Sequence, residues 1–193
     1  MTWNETIDSF RTYLVLEKSL SPNSVEAYLN DIRKLAAYCE KLTPPLDPKE
    51  VSYNVLNEYL MELKNTGVTP RTQARGISSI KSFFKYLLYD GAVGQNPASS
   101  LDAPKIGRSL PSVLSVEEIE TMIDSVDMNK QEGQRNKAIL ETLYSCGLRV
   151  SELVNLKLSQ INFRTGYIKI EGKGNKERIV PLGARAKDEI RCY

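Results

Sequence analysis

The chain has 193 residues, of which 41% are hydrophobic and 26% are charged, so its length suits one large or two small globular domains. The formal net charge is only +2, and total charge therefore gives no strong sign of a nucleic-acid partner. Three scattered cysteines, Cys39, Cys146 and Cys192, and the lack of any histidine argue against a disulfide framework and against a metal site.

The N-terminus lacks the cationic start and apolar core of an export signal. The longest apolar runs are also shorter than a membrane span. We therefore expect a cytoplasmic protein without a membrane partner.

Residues 1–100 contain segments in which apolar side chains recur at helical spacing. Proline follows a serine or threonine cap at two of the predicted helix starts, and glycine follows two of the predicted ends. These segments predict an N-terminal four-helix domain. The predicted helices run from Trp3 to Lys18, from Ser21-Pro22 to about Lys41, from about Val55 to Gly67, and from Thr69-Pro70 to Asp90.

The fourth predicted helix lies in a stretch, from Leu63 through Tyr89, that has five cations and no acidic residue. A solvated helix face without a partner explains such a run as well as a binding surface does. Gly76, Ser78 and Ser79 favour a close approach of the backbone, either to a neighbouring helix or to a DNA backbone. The cations are Lys64, Arg71, Arg75, Lys81 and Lys85.

The chain from Asn96 to Pro111 contains three prolines and no helical period, which is typical of an extended segment. We place the linker at residues 101–111 and a second domain at residues 112–193. The second domain begins with a predicted capping box at Ser115 to Glu118, followed by a helix whose inner residues are Ile119, Met122 and Ile123.

A further helix is predicted from Gln134 to Cys146, capped by Gly147. Arg149 then begins a short helical stretch, where backbone N–H groups also favour an anion. We expect this helix to bury Ala138, Ile139, Leu140, Leu143 and Tyr144.

Short alternating segments after Arg149 predict a small antiparallel β-sheet, so the fold class is mainly α with two domains. Lys173 lies in a glycine-flanked turn before the last strand. A lone surface arginine or hairpin lysine is usually solvated, so neither residue by itself identifies a site. The predicted strands are Ile161 to Phe163, Tyr167 to Ile170, and Glu177 to Pro181.

Together these features have the pattern G-L-R-x-S-E-L, a strand pair, and G-K-G-x-K-x-R-x-V-P-L. The pattern resembles the first half of the catalytic domain of tyrosine recombinases of the phage integrase family, most closely the Xer type. The resemblance implies that Arg149 contacts the scissile phosphate and that Lys173 is the general acid for the 5′-hydroxyl leaving group. It also implies that Glu152 braces the site, and Lys176 and Arg178 are cations expected to lower the pKa of Lys173.

Two N-terminal segments, S-P-N-S-V-E-A-Y and I-K-S-F-F-K-Y-L, resemble the core-binding domain of the same family, which holds DNA. Tyr28 fits the core as well as it fits a DNA contact. The candidate DNA-binding residues are Ser24, Tyr28, Arg71, Arg75, Lys81, Lys176 and Arg178.

By resemblance, the complete protein cuts and rejoins double-stranded DNA through a covalent 3′-phosphotyrosine, without a cofactor, as a homo- or hetero-tetramer. The two domains then form a clamp on the DNA. The Xer-type resemblance implies resolution of chromosome dimers in cell division, with integration of a mobile element or a non-catalytic DNA-binding module as the alternatives. An interaction protein without a DNA role is a further alternative.

The matching segment ends before the family's H-x-x-R motif, its later His or Trp, and its nucleophilic tyrosine. Because no histidine is present, the H-x-x-R motif does not occur elsewhere in the chain. Tyr193 ends a helix-like stretch from Ala184 and is predicted to be an ordinary helix residue. We therefore expect a C-terminally truncated recombinase that does not cleave DNA by itself.

Overall fold

A computed structural model describes residues 2–105, 107, 112–172 and 177–193. The chain forms two compact units, Met1–Ser109 and Leu110–Tyr193. No helix in the described ranges combines the length and apolar character needed to cross a bilayer.

The first unit contains the predicted helices, with a short 3₁₀ turn at Pro48–Glu50 between the second and the third. The first helix ends two residues earlier than predicted, because Ser19 adopts a left-handed conformation (φ 47°) and turns the chain toward the second helix. The N-cap predicted for the fourth helix is present, with the Thr69 hydroxyl accepting the Thr72 N–H. The helices are α1 (Trp3–Leu16), α2 (Pro22–Lys41), α3 (Tyr53–Asn65) and α4 (Pro70–Tyr89).

Aromatic side chains from α1 and α4 form the centre of the first unit's core. The Phe83 ring is fully buried and lies 5.9 Å from Trp3, 5.2 Å from Phe10 and 5.3 Å from Phe84, measured between centroids. The Trp3 indole N–H also donates to the Leu46 carbonyl at 2.9 Å. The proline-rich connection after α2 is thereby attached to the same core.

The first unit continues further along the chain than the helical pattern indicated. Ala98 and Leu101 are 0% and 2% exposed and belong to the core of this unit. Leu101 was expected to begin the linker, but its side chain is apolar and is buried with the helices. Isolated apolar residues in an aperiodic segment carry no periodic signal, which explains the difference.

The second unit has the expected mixture of helices and a three-stranded antiparallel sheet, in which the strands lie side by side in chain order. The Ser115 capping box is confirmed, since the Ser115 hydroxyl accepts the Glu118 N–H and the Glu118 carboxylate accepts the Ser115 N–H. The elements are α5 (Val116–Asp124), α6 (Gly133–Cys146), α7 (Val150–Val154), a 3₁₀ turn (Leu158–Gln160), β1 (Ile161–Asn162), β2 (Tyr167–Glu171), β3 (Glu177–Pro181) and α8 (Ala184–Cys192).

The sheet buries one face of β2, where Ile168 is 0% and Ile170 is 2% exposed, against apolar residues of the helices. In register, Ile170 lies opposite Arg178 of β3. The turn between β1 and β2 uses Gly166 with φ 70°, and the Asn162 side-chain oxygen accepts the N–H groups of the two turn residues before Gly166.

Helix α6 turns inward only part of the face that its apolar pattern predicted, since Ala138 is buried and Leu143 packs against the core of the second unit. Ile139 and Tyr144 are 37% and 47% exposed, whereas Glu141 and Thr142 are buried. The inward face packs against α8, where Gln134 donates to Glu189 at 2.8 Å. The prediction of Ile139 and Tyr144 as core residues is therefore wrong, and so is that of Met122 on α5, which is 41% exposed.

We expect Phe83→Ala to lower the free energy of unfolding of the first unit by about 3–5 kcal/mol, because it removes a ring packed against three aromatic neighbours. Trp3 is the only tryptophan of the chain and stacks on Phe83, so its fluorescence during denaturation reports on this unit. Tyr89→Ala on the same helix is the control, since Tyr89 is 82% exposed. Equal midpoints for the two variants would contradict the packing described here.

Candidate functional site

A buried carboxylate organises the cations of the second unit. The Glu152 side chain is 6% exposed and accepts hydrogen bonds from two arginines. Arg178 binds it with both terminal nitrogens at 2.7 Å, while Arg149 donates its Nη1 at 2.9 Å and its backbone N–H at 2.8 Å. We call Glu152, Arg149 and Arg178 the Glu152 cluster. Its members come from the start of α7 and from β3.

The hydrogen bonds of the cluster keep Glu152 ionised. Donation from the Arg178 guanidinium, followed by that from the Arg149 backbone N–H, lowers the pKa of Glu152 from 4.5 to about 2. One carboxylate therefore faces two guanidinium groups, and the cluster keeps an excess of positive charge. Such an excess on fixed groups suits the binding of an anion.

Arg149 is the exposed member of the cluster. Its side chain is 70% exposed and uses only Nη1 in bonds to described residues, so Nε and Nη2 have no partner there. The sequence predicted that backbone N–H groups at this helix start would favour an anion. The Glu152 carboxylate is such an anion, since it accepts a hydrogen bond from the Arg149 N–H. Because α7 has only five residues, the cationic side chain and not a helix dipole makes the site attractive to an anion.

Arg178 lies in β3, and Glu152 occupies both of its terminal nitrogens. It therefore holds Glu152 in place and is not a free cation beside the hairpin tip. Lys173 and Lys176, the predicted acid and its neighbour, lie outside the described residues. At the base of the hairpin, Glu171 and Glu177 are opposite each other in register.

The first unit contains a second buried acid paired with an arginine. Asp31 of α2 is 6% exposed, and its Oδ2 accepts Arg75 Nη1 at 2.7 Å and the Ser79 hydroxyl at 2.8 Å. Arg75 Nη1 also donates to the Ala27 carbonyl at 3.0 Å. We call Asp31, Arg75 and Ser79 the Asp31 cluster. The cluster joins α2 to α4. Sequence reasoning missed it, because Asp31 is one of many acidic residues in the chain and no local pattern marks it as buried.

The other candidate DNA contacts of the first unit make no side-chain hydrogen bond to this cluster among the described residues. Arg71 is exposed and Lys81 is partly exposed on α4. The Ser24 hydroxyl lies 2.9 Å from the Ser21 hydroxyl, at the start of α2. Tyr28 is half-buried and packs against the core, so its ring has a structural role. The exposed part of the side chain leaves a DNA contact open to it.

The small residues of α4 have different environments. The Ser79 side chain is buried and binds Asp31, so it serves the neighbouring helix α2. A Cβ atom added to Gly76 would meet no atom within 4 Å. Close packing within the first unit therefore does not require glycine at this position.

A groove of about 380 Å³ in the second unit has the opposite charge. Its carboxylates outnumber its cations, and Glu189 and Glu120 form ion pairs with Lys137 and Arg185, each at 3.2 Å. This surface disfavours phosphate. Within the described ranges, no group of three or more metal-binding side chains is placed to hold an ion.

Both units match family models. Residues 112–192 match the phage integrase family, and residues 7–91 match the phage integrase N-terminal SAM-like domain. The chain belongs to the phage integrase family. Arg149, Glu152 and Arg178 lie in the first matched segment, and Asp31 and Arg75 lie in the second.

Relatives of this integrase-family chain include proteins named tyrosine recombinase XerD and XerC. It is 38% identical to XerD of Listeria innocua over 190 residues, which are 98% of this chain and 64% of the relative. It is 39% identical to XerC of Pelobacter propionicus, again over 98% of this chain and 63% of the relative. The chain thus spans about 64% of the length of the first of these relatives.

Solved structures share the fold of this integrase-family chain. A lambda integrase tetramer bound to a Holliday junction matches with a TM-score of 0.77 and 17% identity, over 100% of this chain and 56% of that one. XerH recombinase bound to a palindromic difH substrate matches with a TM-score of 0.68 and 23% identity, over 86% of this chain and 51% of that one. At these identities the likeness is one of fold.

We expect Arg178→Ala to raise the pKa of Glu152 from about 2 toward 4.5, because it removes the strongest hydrogen bonds to the carboxylate. The measurement is a pH titration of the Glu152 carboxyl carbon by NMR. Arg164→Ala, which changes an exposed turn arginine, is the matched control and leaves the midpoint unchanged. A wild-type midpoint near 4.5 would contradict the cluster geometry.

The same shift predicts the direction of the pH dependence of stability. The folded-state pKa of Glu152 lies below its unfolded value, so the ionised group stabilises the second unit above pH 4.5. That contribution is lost as the pH falls from 4.5 to about 2. In Glu152→Gln this part of the acid sensitivity is absent, as a comparison of acid unfolding curves followed by circular dichroism would measure.

Proposed function

We propose that the protein acts as part of a site-specific DNA recombinase of the Xer type, which cuts and rejoins DNA through a covalent 3′-phosphotyrosine. The observation that carries the proposal is the exposed Arg149 guanidinium, fixed by a buried carboxylate that a second arginine keeps ionised. Relatives named tyrosine recombinase that match nearly the whole chain support the reaction class.

In this proposal Arg149 binds the scissile phosphate through Nε and Nη2, which no described residue engages. Phosphoryl transfer without a metal needs fixed donors for the charge that develops on the phosphate oxygens, and arginine supplies a planar set that does not lose its proton. Glu152 holds the guanidinium in one orientation, and Arg178 holds Glu152. No cofactor enters the reaction.

Lys173 is proposed as the general acid for the departing 5′-hydroxyl, on the strength of its place in the sequence pattern. Of the two cations expected to lower its pKa, Arg178 is paired with Glu152. Lys176 is proposed to contact DNA beside it.

The first unit is proposed to bind the DNA backbone through Ser24, Tyr28, Arg71, Arg75 and Lys81. Support comes from the exposure of Arg71 and from the solvent-facing part of Arg75. The shared fold with a lambda integrase dimer bound to a core site is consistent with this role.

The finer parts of the proposal concern the complete enzyme. The relatives are longer than this chain, so the second arginine, the His or Trp and the nucleophilic tyrosine are assigned to sequence that the chain does not contain. We propose that the complete enzyme acts in the cytoplasm as a tetramer on double-stranded DNA and resolves chromosome dimers.

The chain is expected to bind duplex DNA weakly, with an affinity that falls steeply with salt, because phosphate contacts release counterions. Arg149→Ala should reduce the magnitude of the slope of log affinity against log salt by about 0.9, the value for one phosphate contact. Arg164→Ala is the matched control, since Arg164 is an exposed arginine of the same unit. Fluorescence anisotropy at several salt concentrations measures both slopes.

The same chain is expected to form no covalent adduct with a nicked suicide duplex. A phosphotyrosine trapped on Tyr193 would contradict the assignment of the nucleophile to another segment. DNA binding without salt dependence would favour a different mode of recognition, and no DNA binding at all would favour an interaction protein.

In the complete enzyme, Lys173→Ala is expected to block cleavage of an ordinary substrate and to be rescued by a 5′-bridging phosphorothioate. A thiolate leaves without protonation, so the missing acid no longer matters. Single-turnover cleavage assays measure both rates. Arg149→Ala is the contrasting variant, because loss of phosphate stabilisation is not rescued by a better leaving group, and a Lys173→Ala enzyme that is not rescued contradicts the acid role.

A further inference from the structure

The Asp31 cluster fixes one edge of an arginine and leaves the other edge unused. Arg75 Nη1 makes both of the arginine's hydrogen bonds, to Asp31 at 2.7 Å and to the Ala27 carbonyl at 3.0 Å. Its Nε and Nη2 have no partner among the described residues, and the side chain is 40% exposed. The guanidinium is thus held in one place while its remaining donors stay available.

Arg75 also lines an open groove along α2 of about 530 Å³, which we call the α2 groove. The groove has small side chains and two further cations, Arg33 and Lys34. Arg33 is bound to Glu26 and Asn30 at 2.7 and 3.0 Å, whereas Lys34 is exposed. Its lining is Ala27, Asn30, Arg33, Lys34, Ala37 and Arg75.

We propose that Asp31 is a positioning residue for DNA binding, which holds Arg75 so that its free donors bind one backbone phosphate at the α2 groove. The inference rests on the proposed function, in that it requires the chain to bind DNA. Charge alone predicts that Asp31 weakens DNA binding, because a carboxylate near a phosphate repels it. The proposal gives this buried acid the opposite effect.

The reason for such an arrangement is geometric. A free arginine side chain has many rotamers, and ordering it on binding costs entropy. A guanidinium already held at Nη1 by two acceptors loses less freedom when it binds a phosphate. The benefit of orientation and the repulsion by the carboxylate have opposite signs, so the two effects are separable by mutation.

The test compares Asp31→Ala with Asp31→Asn by duplex-DNA anisotropy titrations over a range of salt concentrations. Asp31→Ala removes the acceptor that holds Arg75 and is expected to weaken binding about tenfold at 0.1 M salt and to reduce the slope by about 0.9. Asp31→Asn keeps an oxygen acceptor for Arg75 and Ser79, so binding is expected to equal or exceed that of the wild type.

Asp8→Ala is the matched control, because Asp8 is an exposed acid of α1 and the change removes the same charge. It is expected to leave the affinity unchanged or slightly raised. If Asp31→Ala behaves like Asp8→Ala while it remains folded by circular dichroism, the positioning role is wrong. The fold is expected to persist in Asp31→Ala, because neither partner of Asp31 is left buried without an acceptor: the Ser79 hydroxyl still donates to the Arg75 carbonyl at 3.1 Å, and the 40% exposed Arg75 side chain is open to solvent.

The Arg75→Ala background separates positioning from a general structural effect. There, adding Asp31→Ala is expected to cause no further loss of affinity or of salt slope, because the group that Asp31 holds is gone, and the loss of the carboxylate leaves the affinity unchanged or slightly raised, as in Asp8→Ala. A further loss of affinity in the double variant would overturn the proposal. Failure of the wild-type chain to bind DNA would instead remove the proposed function, which makes the two failures distinguishable.

Discussion

The second unit depends on one buried carboxylate that must remain ionised. Glu152 joins the start of α7 to β3, where its partner Arg178 lies 26 positions further along the sequence. Without Arg178 the carboxylate would lose its strongest hydrogen bonds, and without the carboxylate the two guanidinium groups would repel each other. The position of the exposed Arg149 side chain, and with it any chemistry on a phosphate, therefore depends on this interaction.

Both units contain the same arrangement of a buried acid and an arginine. In each, a buried acid takes part of an arginine's hydrogen-bonding capacity, through Glu152 for Arg149 and through Asp31 for Arg75. The other side-chain donors of each arginine have no partner in the part of the chain that the structure describes. The acid reduces the local positive charge but fixes the direction in which the remaining donors are offered. Fixed donors suit a ligand such as DNA, whose phosphates have defined spacing, better than mobile surface cations do.

Charge distribution explains why a protein with a formal net charge of only +2 is proposed to bind DNA. The acidic residues are not spread evenly: several line the groove between α5, α6 and α8, which disfavours phosphate, while α4 lacks them. Two of the remaining acids are buried as partners of arginine. Net charge therefore gives little guidance here, and the position of each carboxylate decides which surfaces attract an anion.

The sequence by itself determined the helices, the hairpin turn at Gly166, the capping box at Ser115 and the family pattern around Arg149, because each depends on residues a few positions apart. Only the tertiary structure decided that Leu101 belongs to the core, that α6 turns Glu141 inward, and that Arg178 holds Glu152. It also revealed the pairing of Asp31 with Arg75, across 44 residues. Such contacts depend on how the helices and strands pack against each other. The sequence alone does not distinguish an acid that is buried beside an arginine from an acid on the surface.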